Sequence, residues 1–134
     1  MQLNAYTKKM HDFLKSRGWH TINPTDFIKS LVIESAEILE IFQWENLSAA
    51  EIKKNKVKMD RVENELADVF MYSFDVCALL GLDAEKLINK KLEQAKKKYP
   101  PHMLKSHDVT KGDLASYDKI KQEYRKKQKM VTFK

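Results

Sequence analysis

Residues 30–44 read SLVIESAEILEIFQW, an apolar run at helical spacing in which Glu34 and Glu37 interrupt Leu, Val, Ile and Phe. Apolar residues recurring every three to four positions predict an amphipathic helix. On a wheel of about 100° per residue, Glu34 falls between Ile41 on one side and Leu31 and Ile38 on the other. Its carboxyl therefore points into the face the helix buries. Glu37 lies one turn along, nearer the polar flank of Ser30 and Glu40. Side chains three apart project from neighbouring spots about 4.5 Å apart along the axis, so both acids can reach one cation.

The pattern returns in residues 63–75, ENELADVFMYSFD. Glu65 and Asp68 are again three apart, and Tyr72, one turn on, continues the stripe toward Asp75. The rest of that helix carries Leu66, Ala67, Val69, Phe70, Phe74 and Val76, leaving a narrow acidic seam on an otherwise apolar cylinder. Four carboxylates converging in a low-dielectric bundle repel one another and take up protons unless a positive charge sits among them. A hard divalent cation held by oxygen fits: Mg²⁺, with Mn²⁺ as a substitute. No His or Cys stands at helical spacing beside either pair, which disfavours Zn²⁺, and the Glu-x-x-His of di-iron bundles is missing. Either pair alone would read as a solvated face or as a partner for Lys on a neighbouring helix. Two pairs, each embedded in apolar helix, favour the seam.

The chain around these pairs is helical throughout. With three Gly, three Pro and no run of apolar/polar alternation, its 134 residues predict an all-α bundle of four core helices plus a C-terminal helix. The first helix spans about residues 4–16. Asn23-Pro24 breaks the chain, and Thr25 or Asp26 caps a second helix running to about Asn46. Ser48 followed by Glu51 is a capping-box pattern that opens a third helix over 49–80, closed by Gly81. Asp83 caps a fourth, reaching Tyr99 and halted by Pro100-Pro101; after a polar link through Gly112, a fifth begins. Residues 1–112 are expected to form the domain, with 113–134 its basic C-terminal helix and tail.

Hydrophobic residues at 43% and charged residues at 33% exclude a disordered chain. The start lacks an apolar leader and no apolar run is long enough to span a bilayer, so a cytoplasmic protein is expected. Cys77 lies in an apolar stretch without a second Cys, the mark of an inert thiol in a reducing compartment. The net charge of +6 collects in residues 91–100 and 119–134, which suits nucleotide phosphates or a nucleic acid.

The quoted segments resemble the all-α nucleoside triphosphate pyrophosphohydrolases, the MazG-like proteins, and in particular their dCTP pyrophosphatase-like branch. ESAE and ELAD match that family's Glu-x-x-Glu and Glu-x-x-Asp, and RGWH (17–20), FQW (42–44) and KKKYP (96–100) are similar to family segments. The resemblance implies a helical bundle that assembles as a homodimer or homotetramer, with active sites near subunit contacts. It also implies Mg²⁺ held by Glu34, Glu37, Glu65 and Asp68, and hydrolysis of a (d)NTP between its α- and β-phosphates to a monophosphate and pyrophosphate, in nucleotide-pool cleaning. Lys91 keeps that branch's lysine and is the expected phosphate contact, whereas Ala95 stands where the branch carries a substrate-touching Asn.

Glu34 and Glu37 are the candidate catalytic acids, one accepting a proton from the attacking water. Tyr72 shares the face of Glu65 and Asp68, so its hydroxyl can meet a phosphate. Trp19 and Trp44 flank the first pair near helix ends, where an aromatic face can stack on a base. His20 is placed to touch phosphate or base. One alternative reading is a basic helical nucleic-acid-binding protein with a structural acidic seam; it leaves the seam unexplained, and no nucleic-acid motif accompanies the lysines. The other alternative is an enzyme like the related phosphoribosyl-ATP pyrophosphohydrolases.

Overall fold

The computed structural model describes residues 2–100 and 115–132, with side chains for 117–127 in the latter stretch. The expected link through Gly112, the 112/113 boundary and the end of the basic tail lie outside the described residues. Among the described residues there are six α-helices, one short 3-10 turn and no strand. The helices are α1 (Leu3–Ser16), α2 (Pro24–Phe42), α3 (Ala49–Lys54), α4 (Lys56–Leu80), α5 (Ala84–Lys98) and α6 (Ala115–Thr132), with the 3-10 turn at Trp19–Thr21. The chain divides into two units, Met1–Leu87 and Ile88–Lys134, and α5 begins in the first.

Helix starts follow local chemistry. The α2 cap is Asn23 rather than Thr25 or Asp26: its side-chain oxygen accepts from the Thr25 amide at 3.1 Å, and Pro24 takes the first helical position, where a missing N–H is harmless. Ser48 and Glu51 form the predicted capping box, with the Ser48 amide donating to Glu51 Oε2 at 2.7 Å and the Glu51 amide to Ser48 Oγ at 3.4 Å. Asp83 caps α5 through the Lys86 amide at 2.9 Å and accepts from Asn4 Nδ2 at 3.0 Å, tying α1 to that corner. Gly81 ends α4 at φ 62°, a left-handed position that costs a side-chain-bearing residue more.

Two boundaries differ from expectation. The long third helix is split at Asn55, whose backbone turns extended (φ −97°, ψ 93°) while its side chain accepts from the Lys58 amide at 3.1 Å and starts α4 afresh. The second helix stops at Phe42, short of Asn46. Its last turn contains no basic residue. Lys58 of α4 supplies the charge instead, its amine 3.4 Å from the Ile41 carbonyl and 3.1 Å from the Glu45 carboxylate. A cation there offsets the negative end of the helix and holds the chain as it leaves. Lys58→Met is expected to lower stability by about 1 kcal/mol, read as a shift in the urea midpoint with an unchanged slope.

In the first unit α2 lies along α4, α1 crosses α4, and α3 rests on the start of α4. Leu14, Phe27, Ile41 and Ala84 are its buried apolar side chains. Tyr6 of α1 stacks on Phe74 of α4 with ring centres 5.8 Å apart, and Phe27 of α2 meets Tyr72 of α4 at 6.2 Å. In the second unit the Tyr99 and Tyr117 rings stack at 5.2 Å, and the Lys98 amine sits over the Tyr124 ring at 4.6 Å. No helix among the described residues is long and apolar enough to cross a membrane. Cys77 is half-buried, and burial pushes its thiol pKa up, so the reactive thiolate is disfavoured.

Candidate active site

The packing of α2 on α4 brings three of the four predicted acids into one cluster, with Asp68 outside it. Carboxylate oxygens of Glu34, Glu37 and Glu65 lie within 4.8 Å of one another. The Glu34 carboxyl is held above its ordinary pKa, first by desolvation and then by repulsion from Glu37, Asp68 and Glu65. Asp68 is thus close enough to Glu34 to be felt. Among the described residues none of these four acids has an ion-pair partner. Asn64 Nδ2 lies 3.5 Å from Glu65 Oε1. A set of hard oxygen donors, mutually repelling and unneutralised, fits a divalent cation and gives no reason to prefer a soft metal.

A cleft of about 400 Å³ opens beside the acids, lined by Phe13, Leu14, Trp19, Ile22, Asp26, Phe27, Ser30, Asp68, Met71, Tyr72 and Asp75. Asp68 belongs to both features: it lines the cleft and repels Glu34. The walls come from α1, the 3-10 turn, α2 and α4, and they are aromatic on several sides. Trp19 meets Phe13 edge-on at 6.1 Å and keeps 45% of its surface exposed. Tyr72 is half-buried against Phe27.

Of the other sequence-predicted residues, His20 is exposed on the 3-10 turn and is not among the residues lining the cleft. Trp44, just past the end of α2, is 88% exposed and also lies outside the cleft walls. Lys91 is exposed on α5 in the second unit.

Sequence reasoning reached Asp75 as the continuation of the acidic stripe and gave it no role. In the fold it is 4% exposed, with Oδ1 buried and unpartnered, and burial raises its pKa to about 6. A third acid on the Glu65–Asp68 face, inside the apolar segment YSFDVCALL, was the available signal. Phe13, Phe27 and Met71 were missed because apolar residues on a helix face look the same whether they line a core or a cleft.

Comparisons with known proteins show the family. The model of the MazG-like family matches residues 29–114. The rat protein dCTP pyrophosphatase 1 is 24% identical over 121 residues, covering 84% of this chain and 71% of that protein. The human protein of the same name is 24% identical over 102 residues, covering 74% of this chain and 60% of the human one. The crystal structure of a pyrophosphatase from Archaeoglobus fulgidus superposes with a TM-score of 0.62 at 32% identity, across 75% of this chain and 94% of the other. With its family's segments in place and its acidic pairs on facing helices, the chain belongs to the MazG-like family of all-α pyrophosphohydrolases.

Proposed function

We propose that this pyrophosphohydrolase acts on a (deoxy)nucleoside triphosphate, cleaving between the α- and β-phosphates to release the monophosphate and pyrophosphate, and that its substrate is of the dCTP type. The observation that carries the reading is the meeting of Glu34, Glu37 and Glu65 oxygens within 4.8 Å, with Asp68, which repels Glu34, in the wall of a cleft of about 400 Å³. Likeness to the mammalian dCTP pyrophosphatases supports the substrate class.

Glu34, Glu37, Glu65 and Asp68 would hold a divalent cation, Mg²⁺ or Mn²⁺. Bound there, the cation supplies positive charge to the phosphate oxygens, where positioning and electrostatics account for most of the rate. Glu34 or Glu37 takes the proton of the attacking water. Trp19, met edge-on by Phe13, offers a face for the base, and the Tyr72 hydroxyl reaches toward a phosphate oxygen. His20, exposed on the 3-10 turn beside Trp19, is the further phosphate contact of this reading.

A homo-oligomer belongs to the same proposal. Ile28, Val32 and Leu39 share one flank of α2, and Leu66 and Phe70 lie on α4; all are exposed, Phe70 by 56%. Apolar surface of this kind marks an interaction site, and a second copy would cover it. Trp44, outside the cleft of its own chain, would serve a site near that contact. Size-exclusion chromatography with light scattering is expected to give a dimer or tetramer mass, and Phe70→Glu to shift it toward the monomer.

The function is tested by incubating the purified chain with each nucleoside triphosphate, with and without Mg²⁺. Equal amounts of monophosphate and pyrophosphate, formed in the presence of metal, are expected. Release of orthophosphate, or turnover undiminished by chelator, would overturn the reading.

A further inference from the structure

Asp75 is a group that the metal cluster does not use. It is 4% exposed, lies in the wall of the cleft, and its Oδ1 is buried without a hydrogen-bond partner. Burial lifts its pKa to about 6, with no neighbouring charge contributing. A buried polar atom without a partner is costly, and its persistence in a cleft asks what completes it when the cleft is filled. Leu14, Phe13, Phe27 and Met71 make the surroundings apolar, so a single directional contact carries much of the discrimination.

Its position on α4 says which part of a ligand it meets. Asp75 stands seven residues beyond Asp68 on the same helical face, about 10 Å along the axis, with Tyr72 between them. A nucleotide whose phosphates lie at the Glu65–Asp68 end therefore presents its base at the Asp75 end.

We propose that Asp75 selects the base: its carboxyl accepts a hydrogen bond from an exocyclic amine, so that the cleft takes an amino-bearing base such as cytosine over the keto-bearing uracil or thymine. The inference rests on the nucleotide reading of the same cleft given above. A carboxyl oxygen accepts in either protonation state, and the protonated form can also donate to the ring nitrogen beside the amine. A keto oxygen in the same place faces an ionised carboxylate acceptor to acceptor and leaves both unpaired, which a polar site rejects more strongly than it rejects a missing methyl.

The test uses the full-length chain and two readouts. Binding of dCMP and dUMP is measured by calorimetry without metal, and kcat/KM for dCTP and dUTP by pyrophosphate release with Mg²⁺, for the wild type, Asp75→Asn and Asp75→Leu. The wild type is expected to bind dCMP about tenfold or more tighter than dUMP. The ratio approaches one in Asp75→Leu and narrows in Asp75→Asn, whose amide can turn either a donor or an acceptor to the base. A merely structural role would weaken both nucleotides alike and leave the ratio unmoved. A wild type with no preference for dCMP, a measurement that needs no variant, overturns the proposal, as does a preference that survives Asp75→Leu. Pyrophosphate release with base preference untouched by Asp75→Leu sinks the role of Asp75 and leaves the proposed function standing. Preferential dCMP binding that Asp75→Leu removes, without pyrophosphate release from any triphosphate, does the reverse.

Discussion

Glu65→Gln is expected to lower kcat/KM for pyrophosphate release by at least about a hundredfold and to abolish the rise in melting temperature that Mg²⁺ brings. A ligand that binds only the folded chain stabilises it by about 2.7 kcal/mol at a hundredfold excess over its Kd. The wild type should show that shift, and chelator should reverse it. The amide keeps the shape of the carboxylate and removes one of the charges that repel Glu34. Without metal, the variant should therefore melt at the same temperature as the wild type or slightly above it. An unharmed apo fold, an absent metal shift and a lost rate separate a site residue from a structural one. Turnover near the wild-type level in Glu65→Gln, or a Mg²⁺ shift that persists, would mean that the cluster is not where the metal acts.

Asp75→Asn should stabilise the chain at pH 7.5 by on the order of 1–2 kcal/mol, and the gain should vanish below about pH 4. Burial raises the Asp75 pKa from 3.8 to about 6, so between those values the folded chain binds more protons than the unfolded one. Stability contributed by this group is therefore intact in acid, falls as pH rises through that window, and is lost above about 6. Asparagine carries no charge to desolvate, yet its amide remains a buried dipole, which keeps the gain below the full value of the shift. Urea denaturation of both proteins at pH 4 and pH 7.5 measures it. A destabilised variant at pH 7.5 would show that the carboxylate has a favourable partner in the fold. Taken with the selectivity test, a gain in stability and a loss of base preference would be the trade expected of a group kept for binding.

Much of this was legible along the chain. The apolar periodicity of residues 30–44 and 63–75 announced helices, and the Glu-x-x-Glu and Glu-x-x-Asp spacings put each acidic pair on one face. Ser48 with Glu51, and Gly81, mark helix ends because their chemistry is local: a side chain reaches an amide three residues away, or a backbone needs positive φ. The break at Asn55 was harder to see. Asn can pass through a helix or cap one, and neither Gly nor Pro flags the difference.

Other features depend on elements far apart in the chain. Helix α2 ends at Phe42, where Lys58, 17 residues beyond Ile41, donates to the Ile41 carbonyl. Trp19 lines the cleft while Trp44 stands 88% exposed, although both are aromatics near helix ends. Asp75 shares a stripe with Asp68, but its isolation comes from the way α1 and α2 close over α4. Local sequence, then, sets helix type, helix ends and the face each acid occupies, because rotation per residue and capping act over three or four positions. Which acids touch, which aromatics wall a cleft and which carboxyl loses its water follow from helix crossing, since desolvation and charge repulsion act through space between segments that the order of residues alone does not bring together.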